Sequence, residues 1–467
     1  METLTNIVNA LDDFAWGPIM LVLLVGTGVY LSIAIGFPQF TRFGYAMKNT
    51  LGKVFQKGAA GKGEMTPFQA VSTALASTVG TGNITGVTTA ILVGGPGAVF
   101  WMWISAIFGM VTKYGEVVLA VKYRERNDQG EWAGGPMYYI KNGLGKKWKW
   151  LGSLFCVFGA LAAMLGIGNM TQINSIVGYV NRTAQAFNPS AVNAEFTISL
   201  VVGILVAVFC AVVVIGGVKR IGSVTEKLVP FMAVIYIVCA LIVVIVHAGN
   251  LGSVFGAIFA GAFHPQAVAG GVIGATIMTT IQKGVARGVF SNEAGLGSAP
   301  IAHASTSERD PVKQGLYGIF EVFMDTIVIC TLTSLVVLST GAASQYWNSG
   351  SYAIVTVTTG FASVFGTKLG TVILTLGAVL FATSTILGWS LYGTRCVEFL
   401  FGAKARRPYQ VLFCLLIVVG AITELDLVWT IADVLNGFMA IPNLIGLLLL
   451  SPVVIKLSRD HFKALKK

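Results

Sequence analysis

Two short stretches hold the residues whose types and spacing could do chemistry. Residues 76–87 read ASTVGTGNITGV and residues 288–295 read GVFSNEAG, each an asparagine followed by glycine three residues later and preceded by glycine. Both interrupt segments that are otherwise apolar and long enough to cross a bilayer; the first runs TPFQAVSTALASTVGTGNITGVTTAILV. Glycine weakens a helix, and in lipid each backbone N–H or C=O freed by a break costs several kcal/mol unless another group bonds it. Such breaks are tolerable beside a cavity. There, freed carbonyls can ligate a cation while the N-terminus of the following half-helix offers N–H groups and partial positive charge to an anion. Gly80, Thr81, Gly82 and Asn83 are therefore the first candidates for a site that takes a carboxylate and a cation together. Close helix packing is the competing explanation for glycines such as Gly86 and Gly94.

The elements that must position these residues are membrane spans. Of 467 residues, 55% are hydrophobic and only 11% charged. Eleven spans are expected, at approximately 16–37, 66–93, 97–121, 150–180, 196–218, 228–247, 267–303, 314–341, 366–394, 408–424 and 427–456, in one all-α transmembrane domain. The net charge of +11 does not mark a nucleic-acid surface. With the N-terminus outside and the C-terminus cytoplasmic, 26 of the 31 Lys and Arg fall in loops on one side, with only Arg182 and Lys368 opposite. A cell-membrane location in that orientation is expected. The start METLTNIVNALDDFA carries acid where a secretory signal carries base, so the first span is expected to be retained. Cys156, Cys210, Cys239, Cys330, Cys396 and Cys414 lack CxxC spacing and read as packing residues.

Behind the first span, ten remain. Five separate the two interruptions, an odd number, so the second copy enters the membrane from the opposite side. An inverted pair is expected, 66–247 and 267–456, preceded by the extra span 16–37. Interrupted segments at matching places of inverted halves point to the binding site of a secondary transporter.

Two further runs make the reading specific. GGPGAVFWMWISAIFG at 94–109, with GGPMYYI at 134–140 and FSNEAGLGSAP at 290–300, resembles the signature of the alanine or glycine:cation symporter family, and the likeness extends along nearly the whole chain. That resemblance implies import of alanine, glycine or a similar small amino acid coupled to sodium, or in some members to protons. It also implies a leucine-transporter-like 5+5 inverted repeat with discontinuous first core helices. On the same likeness, Thr78, Gly80, Thr81 and Gly82 contact substrate. Sodium is shared between the carbonyls of Ala76 and Val79 and, in the ninth span, the Ala382 carbonyl and the Thr385 hydroxyl; Thr383 and Ser384 are substitutes if the alignment slips by one. Phe290, Ser291 and Asn292 should form the opposite wall, Gln172 a polar contact, and Trp389, four residues after Thr385, a limit on substrate size.

Ionisable residues in spans are functional candidates by default. Lys283 and Arg287 are expected to form a neutralised latch with Glu321 and Asp325. Glu293 should orient the second break or carry a proton, and Lys113 with Glu116 should lie near an interface. A channel is the rival function, since glycine and threonine backbone also line filters, but one antiparallel pair of breaks does not build a ring. Enzyme chemistry finds no support: there is no HExxH, no GxSxG elbow and no P-loop pattern. Besides the amino acid, the coupling ion and the lipid bilayer, no nucleic acid or obligatory protein partner is expected.

Overall fold

The computed structural model describes residues 2–50, 52, 61, 64–264, 276–349, 352–423 and 425–465. The expected start of the seventh span, 267–275, and the basic residues Lys53, Lys57 and Lys62 lie outside the described residues. Among the described residues, apart from one two-stranded hairpin and a single bridge between Met65 and Thr306, the architecture is helical. Helices α1 (Glu2–Ala15) and α2 (Pro18–Ile35) precede the interrupted pair α3 (Pro67–Thr78) and α4 (Thr85–Gly94). Then come α5 (Gly97–Lys122), the hairpin β1 (Glu125–Arg126) and β2 (Trp132–Ala133), α6 (Lys149–Leu165), α7 (Met170–Phe187), α8 (Glu195–Ile215), α9 (Gly217–Val246) and α10 (Leu251–Phe263). The second interrupted pair is α11 (Ile277–Asn292) and α12 (Ala299–His303). Helix α13 (Pro311–Val322) continues through a π-helical stretch, Phe323–Cys330, into Thr331–Ser339. The chain closes with α14 (Ala353–Phe401), kinked at Gly366, then α15 (Arg406–Ile422), α16 (Leu425–Leu449) and α17 (Ser451–Ala464).

Among the described residues, nine helical segments are long and apolar enough to cross a membrane, and this is a multi-pass membrane protein. The two interrupted segments are absent from that set because each half-helix is too short, 12 and 10 residues in the first and 16 and 5 in the second. They are enclosed where they break. Residues 70–78 of α3 are all buried, as are Gly288–Asn292 at the end of α11. By contrast α8 turns Leu205, Val208, Val212 and Ile215 outward, and α9 does the same with Phe231, Val234 and Ile245. Such an apolar exterior is what lipid contact requires.

Local chemistry explains where α3 starts and α11 stops. Thr66 caps α3 in a reciprocal box with Gln69, at 3.0 and 3.1 Å, and Pro67 occupies the first turn, where its missing N–H costs nothing. Helix α11 ends at Glu293, which is held in the left-handed region at φ 57°, and Gly295 and Gly297 follow with φ 92° and 79°. Close approach of helices sets the rest. A Cβ on Gly284 would lie 2.4 Å from the Ala98 carbonyl oxygen, so α11 packs against α5 more tightly than any side chain permits.

Candidate functional site

The first interruption spans Val79–Ile84. Val79 and Gly80 are extended, a single turn of 3₁₀ helix covers Thr81–Asn83, and α4 resumes at Thr85. Five oxygens converge on its α3 end. The Thr385 hydroxyl of α14 lies 3.0 Å from the Ala76 carbonyl and 3.5 Å from that of Val79, and the Ser384 hydroxyl lies 3.2 Å from the Ala76 carbonyl. Both hydroxyls also reach the Phe381 carbonyl, at 2.7 and 3.0 Å. Three carbonyls and two hydroxyls suit a hard cation such as an alkali ion, and the Met232 sulfur also lies 3.4 Å from the Ser384 hydroxyl. Ala76, Val79 and Thr385 are thus together. Ala382 and Thr383 are not part of the cluster: Phe381 stands in place of Ala382 and Ser384 in place of Thr383. The reason is helical: only i, i+3 and i+4 share a face, so 381, 384 and 385 point at the break and 382 and 383 turn past it.

The middle of the break is crowded by design. A Cβ on Gly80 would come within 2.5 Å of the Thr385 hydroxyl oxygen and 3.1 Å of Gln172 Oε1, and one on Gly82 within 3.3 Å of the Phe290 ring. Gln172 Oε1 accepts from both the Thr81 N–H, at 3.2 Å, and its hydroxyl, at 3.0 Å, while the Gln172 amide donates to the Ile167 carbonyl at 2.9 Å. Thr78 is buried, its hydroxyl donating to the Ala74 and Leu75 carbonyls of its own helix at 3.3 Å.

The second interruption supplies the opposite wall. Phe290 stacks on Trp429 at 5.3 Å, and the Arg287 guanidinium lies over both rings. The Ser291 hydroxyl donates to Asp325 Oδ1 at 3.1 Å, and Asn292 Nδ2 donates to the Thr326 hydroxyl at 3.0 Å. Trp389 does not simply bound a pocket. Its indole N–H donates to Glu293 Oε1 at 2.7 Å, its ring meets Tyr392 edge-on, and its Cβ presses where a Gly168 side chain would begin. Glu293 is therefore the orienting group of the break, held by Trp389 on one oxygen and the Ser298 hydroxyl on the other.

The expected latch of Lys283 and Arg287 with Glu321 and Asp325 does not form. Arg287 makes a bidentate pair with Asp433 of α16, at 2.9 and 2.7 Å, and Lys283 lines a small cavity with Asp12, Asp13 and Asp433. Residues 284, 288 and 291 face α5 and α13, which turns 283, 287 and 290 the other way, toward α1 and α16. Glu321 instead binds Lys113 at 3.0 Å and His303 at 3.1 Å. Lys113 and Glu116 are not at an interface. Both are fully buried, Glu116 accepting from Asn443, because Lys113 lies nine residues, about 13 Å of helix, from the end of α5, beyond the reach of its side chain.

Phe381 and Thr326 are not singled out by the sequence. Asp325 carried a visible signal, a carboxylate inside an apolar run, but its partners were misassigned. The π-helical turn that presents it has no signature in the residue types.

Two discontinuous helices, the first bracing an oxygen cluster against α14, define a fold class, that of the leucine transporter. The fold is similar to the crystal structure of MhsT in complex with L-phenylalanine, at 13% identity and a TM-score of 0.56, covering 84% of this chain and 97% of that one. All residues 1–467 match the model of the sodium:alanine symporter family, and the chain belongs to that family. It is 47% identical to the sodium/alanine symporter AgcS of Methanococcus maripaludis, over 96% of this chain and 95% of that protein. It is 45% identical to an uncharacterized transporter of Haemophilus influenzae, over 99% and 97%, and 36% identical to the probable sodium/glutamine symporter GlnT of Bacillus subtilis, over 100% and 92%. The protein is an amino-acid symporter and not an enzyme.

Proposed function

We propose that this protein imports a small neutral amino acid, alanine or glycine, together with sodium, by alternating access, with its N-terminus outside and its C-terminus in the cytoplasm. The observation that carries the reading is the convergence of the Ala76, Val79 and Phe381 carbonyls with the Ser384 and Thr385 hydroxyls. Three carbonyl dipoles aimed at two hydroxyls leave oxygen lone pairs in excess of protons, the electrostatic setting that a desolvated sodium ion stabilises. The adjacent stretch Gly80–Gly82 has no side chain beyond that of Thr81, so an amino acid's main-chain groups can meet backbone directly. Walls at Gln172 and Phe290 restrict the remaining space to a small side chain. Sodium bound between α3 and α14 would fix the broken helix in the form that accepts the amino acid, and by linkage the amino acid would tighten sodium equally.

Uptake of radiolabelled alanine into proteoliposomes, with sodium and proton gradients imposed separately, tests this directly. Sodium should drive accumulation, and Thr385→Ala should raise the half-saturating sodium concentration about tenfold, equivalent to about 1.4 kcal/mol. Equal uptake without sodium, or a Thr385→Ala curve that overlays the wild type, would refute the assignment.

A further inference from the structure

Helix α17 carries two stripes with different partners. Ser451, Val454, Ser458 and Phe462 recur at helical spacing and are buried. They fasten the helix to the bundle: the Ser451 hydroxyl lies 3.1 Å from that of Tyr30 in α2, and the Ser458 hydroxyl lies 2.6 Å from that of Tyr114 in α5. His461 Nδ1 adds a contact of 2.9 Å to Asp310, at the start of α13. The neighbouring stripe is Ile455, Arg459 and Lys463, each four residues from the next, and it borders a cavity of about 310 Å³ shared with the end of α2.

Arg42 joins Arg459 and Lys463 in the walls of that cavity, with Ile35, Ile455 and Phe462 as its apolar lining, and no Asp or Glu borders it. The Arg42 guanidinium is held over the Phe462 ring, 5.2 Å from its centre. Among the described residues, no carboxylate oxygen lies within 4.0 Å of any of these three cations. Bases near the hairpin are treated differently. Arg126 and Arg309 share Glu64, at 2.6 and 2.9 Å, and Lys141 pairs with Glu125 at 2.8 Å. Gly36, which ends α2 in the left-handed region at φ 84°, also borders the cavity, and a Cβ there would meet nothing within 4 Å, so this edge is open.

The adjoining surface is apolar, with Ile33, Phe37 and Phe40 all exposed around the end of α2. Three cations without acid partners, set beside exposed apolar groups at the end of a membrane helix, match an amphiphile with a negative head and hydrocarbon tails. A soluble phosphate would satisfy the cations but cover none of the apolar rim.

We propose that Arg42, Arg459 and Lys463 bind the phosphate of an anionic phospholipid, in the leaflet that the Lys- and Arg-rich loops face, which is the cytoplasmic one in the orientation proposed above. Charge-assisted hydrogen bonds from the two arginines and the lysine hold the headgroup, and the acyl chains lie along α2. The lipid thereby bridges α2 to α17, which Ser458 and His461 in turn brace on α5 and α13.

The test is a thermal titration of the full-length protein in detergent with phosphatidylglycerol, with phosphatidylcholine of the same acyl chains, or with inorganic phosphate. Phosphatidylglycerol should raise the melting temperature and the other two should leave it unchanged. Combining Arg42→Gln, Arg459→Gln and Lys463→Gln should raise the phosphatidylglycerol concentration that gives half the shift at least about tenfold. Removing three exposed charges elsewhere, by Lys146→Gln, Lys147→Gln and Lys404→Gln, should leave the titration where it was. If the first triple variant fails to fold, Arg459→Gln alone should still move the titration to higher lipid. An equal shift with phosphatidylcholine overturns the proposal, as does a titration that the Arg42, Arg459 and Lys463 changes do not move. A matching shift with inorganic phosphate assigns the cations to a soluble anion, and an equal loss in both triple variants reduces the effect to general surface charge; either result also overturns it.

Discussion

The two interruptions lean on the same helix one turn apart, yet they are built from different materials. At the first, α14 offers the hydroxyls of Ser384 and Thr385 to main-chain carbonyls, and no ionisable side chain lies within residues 79–84. At the second, α14 offers the Trp389 indole N–H to a carboxylate, Glu293, which sits in the left-handed region at the helix end. The first break can exchange its internal hydrogen bonds for a cation, since hydroxyls that donate to carbonyls can rotate and ligate instead. The second is fixed by a side-chain bond that an arriving cation does not replace. On the proposed function the first would serve binding and the second transmission, both resting on α14.

Gly80→Ala should break this comparison most severely. The added methyl would meet the Thr385 hydroxyl at 2.5 Å and Gln172 at 3.1 Å, displacing the side chains that line the break. Alanine uptake should fall on the order of 100-fold, about 2.7 kcal/mol, while a detergent-solubilised melting curve shows the protein still folded. Retention of near-normal uptake would mean that the first break is not the binding element.

Trp389→Phe sharpens the distinction. It leaves a buried Glu293 oxygen without its donor, a loss of about 1–3 kcal/mol. The maximal rate of alanine uptake should drop about tenfold and the melting temperature should fall, with the half-saturating sodium concentration unchanged. A sodium curve shifted as expected for Thr385→Ala would erase the functional difference between the two breaks.

The smallest effect concerns the anchoring of α14 itself. Its end carries Arg395, which is fully buried, binds Glu398 at 2.7 Å and binds Glu131 of the hairpin loop at 2.9 Å; Arg406 reaches Glu131 at 3.3 Å. Burial pushes the Glu131 carboxyl up, but Arg395 and Arg406 outweigh it and hold the group below its ordinary value of 4.5. A group lowered on folding stabilises the protein above its unfolded value, and that stabilisation is lost as pH falls through the folded value. The melting temperature should therefore be flat in the neutral range and decline only below about pH 4.5. Glu131→Gln should show a shallower decline, measured by thermal scanning at a series of pH values.

Much of the site was legible in residue types. Glycine, threonine and asparagine inside an apolar run admit few explanations, so the break at 79–84 and its likeness to the motif at 288–295 could be read directly. The identity of the α14 oxygens was legible only to within one residue, because a stretch reading FATSTI places a hydroxyl on every side of the helix and only the rotation of α14 against α3 selects Ser384 and Thr385. Charge partners were misread for a related reason. Lys283, Arg287, Glu321 and Asp325 are near one another in sequence order of spans, yet each partner is chosen by which face of α11 or α13 meets which neighbour.

What the sequence by itself determined was the membrane class and the two places where helices must stop, because both follow from composition and the backbone freedom of glycine, local properties; the family came from the resemblance carried by runs such as GGPGAVFWMWISAIFG. The tertiary structure alone decided that Asp325 meets Asn83 and Ser291, that Glu293 is held by Trp389, and that Lys113 rather than Arg287 neutralises Glu321. Those pairings depend on helix rotation and depth, which are fixed by the close packing of glycine faces such as Gly284 on Ala98 and by the π-helical turn in α13. In a medium that cannot solvate charge, these small rotations determine which acid has a basic partner and which is left with neutral ones.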